Sequence, residues 1–480
     1  MNHKMVFPTV GKVLLSEAAM LCLPLGVALY RSEPTTPIVV ALAVALALGW
    51  ALNRVFRPRD HTIYAKDGFV IVALSWLLLS AVGALPFVIS GEIPRYVDAF
   101  FETVSGFTTT GASIVPNVEV MSRSLLFWRS FTHWVGGMGI LVFAMAIVPG
   151  MSDRSIHIMR AEMPGPVVGK LVPRAKDTAR ILYRIYIAMT VLEIILLLAG
   201  GMPLFDSVVH SFGTAGTGGF GIKSDSIASY SPYLQWIITV FMLLFGVNFN
   251  LYFLLLIRRF RSVAKSTELW AYLALFAVSV MLISTNILHM YDSFAEALRH
   301  AAFQVSSIMT TTGFSTFDFD SWPLFSKAIL LGLMFIGACA GSTGGGIKVS
   351  RVVLLLKSAK RELMRLVHPR SVTRAHFEGK TVDISTLHSV STYLIVYVAC
   401  FSLIVLFLCL EPEFNFLSNF SAAAACFNNI GPGLSIVGPA RNYALYSDGS
   451  KLLLSFAMLL GRLEIFPLLI TLTPATWTKR

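Results

Sequence analysis

Short turns rich in threonine and glycine occur between apolar segments at four places in the chain, and two of these turns are nearly identical. Residues 101–111 read FETVSGFTTTG, and residues 303–313 read FQVSSIMTTTG. Degenerate copies end at Thr217-Gly218 and at Ile430-Gly431. Backbone carbonyls can wrap a dehydrated monovalent cation where glycine allows dihedral angles that are closed to other residues. Four such turns predict a ring of cation-coordinating carbonyls.

Alignment of the four copies on their glycines assigns four residues of each copy to this ring. The assigned residues are Thr108, Thr109, Thr110 and Gly111; Ala215, Gly216, Thr217 and Gly218; Thr310, Thr311, Thr312 and Gly313; and Asn428, Asn429, Ile430 and Gly431. Glycine is the residue that all four copies share. One isolated copy would be explained as a helix-breaking turn between packed helices, whereas four copies in register favour a pore.

The composition places the chain in a membrane. Hydrophobic residues make up 55% of the 480 residues, charged residues make up 13%, and the mean hydropathy is +0.72. A water-soluble domain of this length needs far more polar surface, so the sequence predicts an all-α polytopic membrane protein in contact with the lipid bilayer. The five cysteines have no paired spacing, which argues against a disulfide framework or a zinc site. No nucleic-acid partner is expected.

Ten apolar segments are long enough to cross a bilayer, which takes about 18 to 25 residues. They lie at roughly 12–30, 36–53, 68–90, 124–149, 180–203, 232–257, 268–290, 323–358, 384–410 and 449–472. Ten crossings place both termini on one side. About 27 of the 38 lysines and arginines lie on that same side, so the positive-inside rule predicts cytoplasmic termini.

Acidic residues, among them Asp98, Glu102 and Asp206, map mostly to the opposite, outer side. Two explanations are open at this point. The carboxylates can cap the starts of short helices and solvate loops. They can also form a vestibule that concentrates cations by electrostatic focusing.

The eight crossings after the first two form four equivalent units, each with a helix, a short amphipathic segment, a glycine turn and a second helix. Non-helical backbone at membrane depth is tolerated where it is buried in protein or lines a wet cavity. The amphipathic segments therefore predict half-helices around one central pore. The predicted units are an N-terminal two-helix element at 1–66 and pore repeats at 67–178, 179–266, 267–380 and 381–480.

These motifs resemble those of the TrkH/KtrB/HKT superfamily of potassium transporters, most closely its bacterial TrkH branch. The resemblance covers essentially the whole chain and is carried by residues 104–113, 305–314, 337–348, 426–433 and 461–464. It implies that the aligned glycines form a potassium selectivity filter that holds K⁺ ions, without a covalently bound cofactor. Glycine at position 111, where some members have serine, implies preference for potassium over sodium. The resemblance also implies potassium uptake across the bacterial inner membrane, a homodimer and regulation by a cytoplasmic ring of nucleotide-binding TrkA-like subunits.

A second glycine-rich stretch interrupts an apolar segment near the membrane centre. Its residues are Cys339, Ala340, Gly341, Ser342, Thr343, Gly344, Gly345 and Gly346. Each interior glycine costs a helix roughly 1 kcal/mol, so the helix is expected to break here. A close helix crossing through small residues is one explanation. The resemblance favours an intramembrane loop below the filter that gates conduction.

Three charged residues are expected to act near this loop. An arginine inside an apolar crossing should face the bundle interior or a wet cavity, so Arg462 is expected to donate to carbonyls or hydroxyls of the loop and to complete the gate. Glu464 points to another face and is expected to pair with another helix. Lys348 is expected to mark the return to the cytoplasm.

Two alternatives to channel-like uptake are open. A secondary carrier would couple potassium to protons or sodium, and Glu17 and Glu193, in apolar spans, are either proton-coupling sites or carboxylates paired with a neighbouring helix. A polytopic membrane enzyme or receptor would need a polar catalytic cluster, and no such cluster can be assembled from the sequence, so no enzyme activity is predicted. His133 and His210 lack metal-ligand spacing and are expected to be packing residues.

Overall fold

The computed structural model describes residues 2–56, 64–139, 175–368 and 375–477, and nearly all regular structure in them is helical. The helices are α1 (His3–Arg31), α2 (Thr36–Val55), α3 (Ala65–Gly83), α4 (Leu85–Ser90), α5 (Tyr96–Phe107), α6 (Arg123–Gly137), α7 (Ala175–Ala199), α8 (Leu204–Gly216), α9 (Pro232–Phe245), α10 (Phe249–Leu256), α11 (Phe260–Ala264), α12 (Thr267–Ile287), α13 (Phe294–Met309), α14 (Leu324–Ile336), α15 (Val349–Val367), α16 (Ile384–Leu408), α17 (Phe416–Phe427), α18 (Asp448–Arg462), α19 (Phe466–Leu472) and α20 (Pro474–Trp477). The described strands, β1 (His376–Phe377) and β2 (Lys380–Thr381), pair antiparallel. The fold is the all-α membrane architecture that the composition predicts.

Six described segments are long and apolar enough to cross a bilayer. They are His3–Arg31, Thr36–Val55, Lys66–Ser90, Asp177–Ala199, Thr267–Met290 and Ile384–Leu408. A seventh crossing results if α9 and α10 are counted as one span. Apolar side chains on these segments, such as Trp50 and Ile195, are exposed, as expected where a helix faces lipid. These segments match seven of the ten predicted crossings, and the other three begin with the shorter helices α6, α14 and α18.

One order of helices repeats four times after α2. The first helices of the four units are α3, α7, α12 and α16, and the second helices are α6, α9, α14 and α18. Between them lie four short helices, α5, α8, α13 and α17, which we call the pore helices. The unit boundaries that were inferred from the sequence remain predictions.

The second helices are more broken than the sequence predicted. The predicted crossing at 232–257 is bent, because the chain turns by 90° between α9 and α10. Asn248 starts the new helix, and its side-chain oxygen accepts a hydrogen bond from the Asn250 backbone N–H at 2.9 Å. The predicted crossing at 449–472 breaks after Arg462, and residues 140–149 of another predicted crossing lie outside the described residues.

The pore helices are capped at their outer ends and buried along most of their length. The Ser293 hydroxyl accepts from the Glu296 backbone N–H at 3.2 Å, and the Asn415 side chain accepts from the Ser418 N–H at 2.8 Å. Asp98 and Asp206 lie in the first turns of the other two pore helices, where the helix dipole favours a negative charge. Helix capping therefore explains part of the acidic outer side.

Helices α1 and α2 approach each other closely through two glycines. A Cβ atom on Gly49 would lie 2.9 Å from the Gly11 carbonyl oxygen and 2.8 Å from Leu15 Cγ. These distances leave no room for a side chain, so the crossing requires small residues. Gly26, farther along α1, is exposed and would have no atom within 4 Å of an added Cβ.

We expect Gly49→Leu to lower the thermal unfolding midpoint of the detergent-solubilised protein, because overpacking a close contact costs about 1–3 kcal/mol. Gly26→Ala is the matched control, because alanine stabilises a helix interior by up to about 1 kcal/mol relative to glycine. Unfolding would be followed by circular dichroism or by dye fluorescence. Equal midpoints for Gly49→Leu and the unsubstituted protein would contradict the close crossing.

Candidate functional site: a ring of glycine turns above an intramembrane loop

All four pore helices end in the same backbone motif. The residues Thr109, Thr217, Thr311 and Asn429 have φ between 53° and 59°, in the left-handed region. In the first unit the Thr109 N–H donates to the Gly106 carbonyl and the Thr110 N–H donates to the Ser105 carbonyl, at 3.1 and 2.9 Å. This pair of hydrogen bonds defines a Schellman motif, which ends a helix and turns the chain sharply. Each pore helix therefore directs its C-terminal end, with its partial negative charge, toward the turn that follows.

The glycine after each motif contacts the next unit, and the four contacts close a ring. Gly111, Gly219, Gly313 and Gly431 all have positive φ, between 77° and 95°. A Cβ atom on Gly111 would overlap the Gly218 carbonyl oxygen, and one on Gly431 would lie 2.7 Å from the Thr110 carbonyl oxygen. The remaining two contacts are Gly219 against the Thr312 carbonyl and Gly313 against the Ile430 carbonyl. All four glycines also line one cavity, so the turns converge on a common axis.

The ring corrects the predicted register of the second unit by one residue. The structure aligns Gly219, and not Gly218, with Gly111, because Gly219 has the positive φ and Thr217 has the conformation of Thr109. Ala215, which the alignment assigned to the ring, lies within α8 and packs among aromatic residues. The sequence was ambiguous because residues 216–219 contain three glycines. The requirement for a non-glycine residue two positions before the conserved glycine would have resolved it.

The side chains of these turns brace the backbone. The Thr108 hydroxyl donates to the Val104 carbonyl at 2.6 Å and lies 2.8 Å from the Thr110 hydroxyl. Because the Thr108 proton is already used, Thr110 donates to Thr108. Thr310 and Thr312 repeat this arrangement at 2.7 and 2.8 Å. The hydroxyls thus hold one another in place, and the groups available for a cation are the backbone carbonyls.

Asparagine replaces threonine in the fourth unit. Its longer side chain also braces the turn, by hydrogen bonds to more distant segments. The Asn429 amide donates to the Thr110 hydroxyl and to the Met458 carbonyl, both at 2.9 Å. The Asn428 side chain accepts from the Tyr397 hydroxyl at 2.7 Å. The first and last units are therefore joined by side chains as well as by the glycine contact.

The cavity outside the ring does not have the predicted acidic lining. Its charged lining residues are Arg129, Lys223 and Arg441. Glu102, which was predicted to face the outer side, is fully buried behind the ring and lies 2.6 Å from Arg129 Nε. Of the two explanations for the acidic outer side, this cavity gives no support to the vestibule. Sequence position alone could not separate a buried carboxylate from an exposed one.

Glu102 links the first pore helix to the chain that leaves the ring. One oxygen of its carboxylate accepts from the Ser113 hydroxyl at 3.0 Å, and the other accepts from the Ile114 N–H at 2.9 Å. Arg129 also donates to the Gly221 carbonyl at 3.1 Å, and its guanidinium lies 3.4 Å from the centroid of the Phe220 ring. The buried ion pair thus ties the segments after Gly111 and Gly219 together.

The two histidines near the pore are buried packing residues, and one ring nitrogen of each, His133 Nε2 and His210 Nδ1, has no hydrogen-bond partner among the described residues. His133 is fully buried, and its Nδ1 lies 2.7 Å from the Gly106 carbonyl oxygen. Its ring fills the space beside Gly218, where a Cβ atom would overlap it. His210 is also buried and lies 3.2 Å from the Tyr230 hydroxyl. The described residues contain no group of three or more His, Cys, Asp or Glu side chains that could hold a metal.

Residues 337–348 break the helix between α14 and α15, as predicted, and lie against the inner side of the ring. The Gly345 N–H donates to the Thr311 hydroxyl at 2.6 Å, and a Cβ atom on Gly344 would lie 2.8 Å from the Thr310 carbonyl oxygen. The Thr343 hydroxyl donates to the Phe245 carbonyl at 3.2 Å. Residues 337–348, which we call the inner loop, therefore contact the second and third units directly below the glycine turns.

Arg462 donates to this loop, which confirms the prediction. Its guanidinium donates to the Thr343 carbonyl at 2.8 Å and to the Gly137 carbonyl at 2.7 Å, and also to the Gly136 carbonyl. One arginine thus joins the inner loop to the first and fourth units. Glu464 pairs with another helix, as predicted, through a bidentate contact with Arg351 at 2.7 and 3.1 Å.

Two charged residues at this loop have positions that the sequence analysis did not assign. One Glu268 carboxylate oxygen accepts from the Ala340 N–H at 2.7 Å and from the Ser350 N–H at 3.1 Å, so it clasps both ends of the loop. Lys348 immediately precedes α15, and its predicted place at the return to the cytoplasm stays a prediction. Its side chain is buried, and its ammonium donates to the Gly344 carbonyl. The position of Lys348 beside a run of glycines was the only feature of the sequence that indicated its contact with the loop.

The chain is similar to known proteins over nearly its whole length. Residues 35–478 match the TrkH family, which is described as cation transport protein. The chain belongs to the TrkH family. Family membership also makes it a membrane-integral protein of a transport family, in agreement with its apolar helices.

Individual TrkH relatives match along their whole length. The chain is 38% identical to the Trk system potassium uptake protein TrkH of Salmonella typhimurium, over 100% of both chains. It is 39% identical to the protein of the same name from Vibrio parahaemolyticus, over 99% of this chain and 100% of that one. The crystal structure of the potassium transporter TrkH from Vibrio parahaemolyticus superposes with a TM-score of 0.87 and 36% identity, and covers 99% of each chain.

We expect Glu102→Gln to lower the thermal unfolding midpoint in detergent strongly, because removal of one partner from a buried ion pair costs about 3–5 kcal/mol. The matched control is Glu362→Gln, since Glu362 pairs with Arg361 and Arg365 on the exposed face of α15. An exposed pair contributes only about 0–1 kcal/mol. Equal shifts for the two variants would contradict the structural role of the Glu102–Arg129 pair.

Proposed function

We propose that the protein carries out potassium uptake, with K⁺ passing through the ring of carbonyls at the ends of the four pore helices. The observation that carries the proposal is that each glycine of the ring packs on a carbonyl of the next unit, so that four main-chain turns surround one axis. Carbonyl oxygens in such a ring replace the hydration shell of a cation. The relatives that match along the whole chain are named potassium uptake proteins.

The residues proposed to bind potassium are those from the turns, with the second unit in its corrected register. They are Thr108, Thr109, Thr110 and Gly111; Gly216, Thr217, Gly218 and Gly219; Thr310, Thr311, Thr312 and Gly313; and Asn428, Asn429, Ile430 and Gly431. The C-terminal ends of the pore helices add partial negative charge from four directions. No covalently bound cofactor is needed for this chemistry, and potassium is the cargo.

The inner loop is proposed to be the gate. Its residues from Cys339 to Gly346 lie between the ring and the cytoplasmic helix α15, and Arg462 holds them against two units of the bundle. Conduction then requires the loop to leave the inner side of the ring. Because Glu268, Arg462 and Lys348 each donate to or accept from loop backbone, movement of the loop must exchange several hydrogen bonds at once.

The cellular setting is proposed from the charge distribution and from the family. Basic residues collect on the side of the termini, which supports insertion in a bacterial inner membrane with cytoplasmic termini. The names of the relatives describe a Trk system, which supports a second component. We propose a homodimer regulated by a cytoplasmic ring of nucleotide-binding TrkA-like subunits. The exposed apolar residues Leu356 and Leu363, set among lysines and arginines of α15, are available to such a partner.

A secondary carrier is the second candidate, and two buried carboxylates favour it. Glu17 and Glu193 are fully buried, and neither carboxylate oxygen of Glu17 has a hydrogen-bond partner among the described residues. Proton coupling through either residue would shift the reversal potential in proteoliposomes away from the potassium Nernst value. A reversal potential that follows the potassium Nernst value at every pH would exclude the secondary carrier and support a channel. We propose transport without enzyme activity in either case.

Substitution of the ring glycines tests the filter. We expect Gly111→Ser and Gly219→Ser each to reduce discrimination of potassium against sodium, because a side chain at either position collides with a carbonyl of the next unit. The control is Gly221→Ala, where the added Cβ would meet its nearest atom at 3.4 Å. Relative permeability would be measured from reversal potentials in mixed salt. Unchanged selectivity in Gly219→Ser would refute the corrected register, and unchanged selectivity in both serine variants would refute the filter.

Removal of the inner loop tests the gate. Deletion of residues 340–345 is expected to raise rubidium flux into proteoliposomes several-fold, because the segment that contacts Thr310 and Thr311 is lost. Arg462→Gln is expected to act in the same direction by releasing the Thr343 carbonyl. Both fluxes are compared with that of the unsubstituted protein at equal incorporation. Flux at or below the starting level in a folded deletion variant would exclude this loop as the gate.

A further inference from the structure

Lys348 is the last residue of the inner loop, and its side chain lies inside the protein. It is 2% exposed, and its φ of 82° is rare for a residue that carries a Cβ atom. Its ammonium donates to the Gly344 carbonyl, four residues back along the chain. The backbone conformation and this hydrogen bond together place an ammonium group under the loop, where an apolar membrane protein would ordinarily avoid one.

The residue that binds the ammonium packs against the inner end of the ring. Gly344, which binds it, packs against the carbonyl of Thr310, with 2.8 Å from an added Cβ to the Thr310 oxygen. The next residue, Gly345, donates its N–H to the Thr311 hydroxyl at 2.6 Å and packs against the Asn428 carbonyl. The Lys348 ammonium is therefore bound to a glycine that, with its neighbour Gly345, contacts the third and fourth turns of the ring.

The charged groups around Lys348 leave its charge without a direct partner. The groups that face it are Glu464, Glu268, Arg462 and Arg351. Glu464 is engaged by Arg351, and Glu268 accepts from two backbone N–H groups. Within the described residues, no carboxylate oxygen lies within 4.0 Å of the Lys348 ammonium. A carbonyl oxygen is thus its ligand, as carbonyls are the ligands of a permeating potassium ion.

We propose that the Lys348 ammonium is a tethered cation that takes the place of a permeating ion at the inner end of the filter while the loop is closed. This inference rests on the function proposed above and adds a second means of closure. The loop excludes potassium by its charge as well as by its bulk, because an ion leaving the ring meets a fixed like charge. Arg462 acts differently, since it holds the loop to the bundle through carbonyls of two units.

The experiment compares variants of Lys348 in the full-length protein, reconstituted in liposomes, with rubidium flux as the readout. Lys348→Met keeps the length of the side chain and removes the charge, and it is expected to raise flux roughly fivefold or more. Lys348→Arg keeps the charge and is expected to leave flux within about twofold of the unsubstituted protein. The control is Lys357→Met on the same helix, whose lysine is partly buried and donates to the His376 carbonyl away from the inner loop, and it is expected to leave flux unchanged.

Lys348→Gln provides a second neutral variant, because its amide can still donate to the Gly344 carbonyl. Equal flux in the folded neutral variants and the unsubstituted protein would overturn the tethered-cation proposal, as would a rise in Lys348→Arg as large as that in Lys348→Met. Thermal unfolding and gel filtration in detergent identify which variants are folded. Gly111→Ser separates this failure from a failure of the filter. If Gly111→Ser alters selectivity while the neutral Lys348 variants change nothing, the filter stands and only the role of Lys348 falls.

Discussion

The contact between a ring glycine and the carbonyl of the next unit is the constraint on which the rest of the structure depends. It leaves no space for a Cβ atom, and it recurs at Gly111, Gly219, Gly313 and Gly431. Because each unit touches the next and the last touches the first, displacement of one turn must displace its neighbours. The short pore helices, the buried Glu102–Arg129 pair and the broken second helices all serve to bring four turns to the same depth.

The turns before these glycines are held in a conformation that their side chains disfavour. A left-handed residue with a Cβ atom costs roughly 1–2 kcal/mol, and the ring contains four, which are Thr109, Thr217, Thr311 and Asn429. Schellman hydrogen bonds and hydroxyl pairs offset part of this cost. The bracing explains why threonine recurs here although its hydroxyl is used within the turn. A turn of glycines alone would reach the same dihedral angles with less rigidity.

The sequence predicted the elements of this site better than their detailed geometry. Hydropathy and the repeated turns gave the class of fold and three of the four ring glycines, because both signals depend on residue type. The second unit was misaligned because the residue type alone cannot distinguish Gly216, Gly218 and Gly219. Only the backbone φ angles show that Gly219 is the ring glycine. The bend after Phe245 was missed because hydropathy records no direction. The burial of Glu102 and Lys348 was not predicted, because it depends on how the helices and the inner loop pack in three dimensions.

The closure of the ring also has a consequence for the biogenesis of the protein. The hydrogen bond from the Asn429 amide to the Thr110 hydroxyl joins residues 319 positions apart, and the Gly431 contact with the Thr110 carbonyl spans a similar length. A chain emerging from the ribosome inserts its first hairpin long before the residues that complete it have been synthesised. The ring therefore cannot close until the C-terminal helices have been inserted.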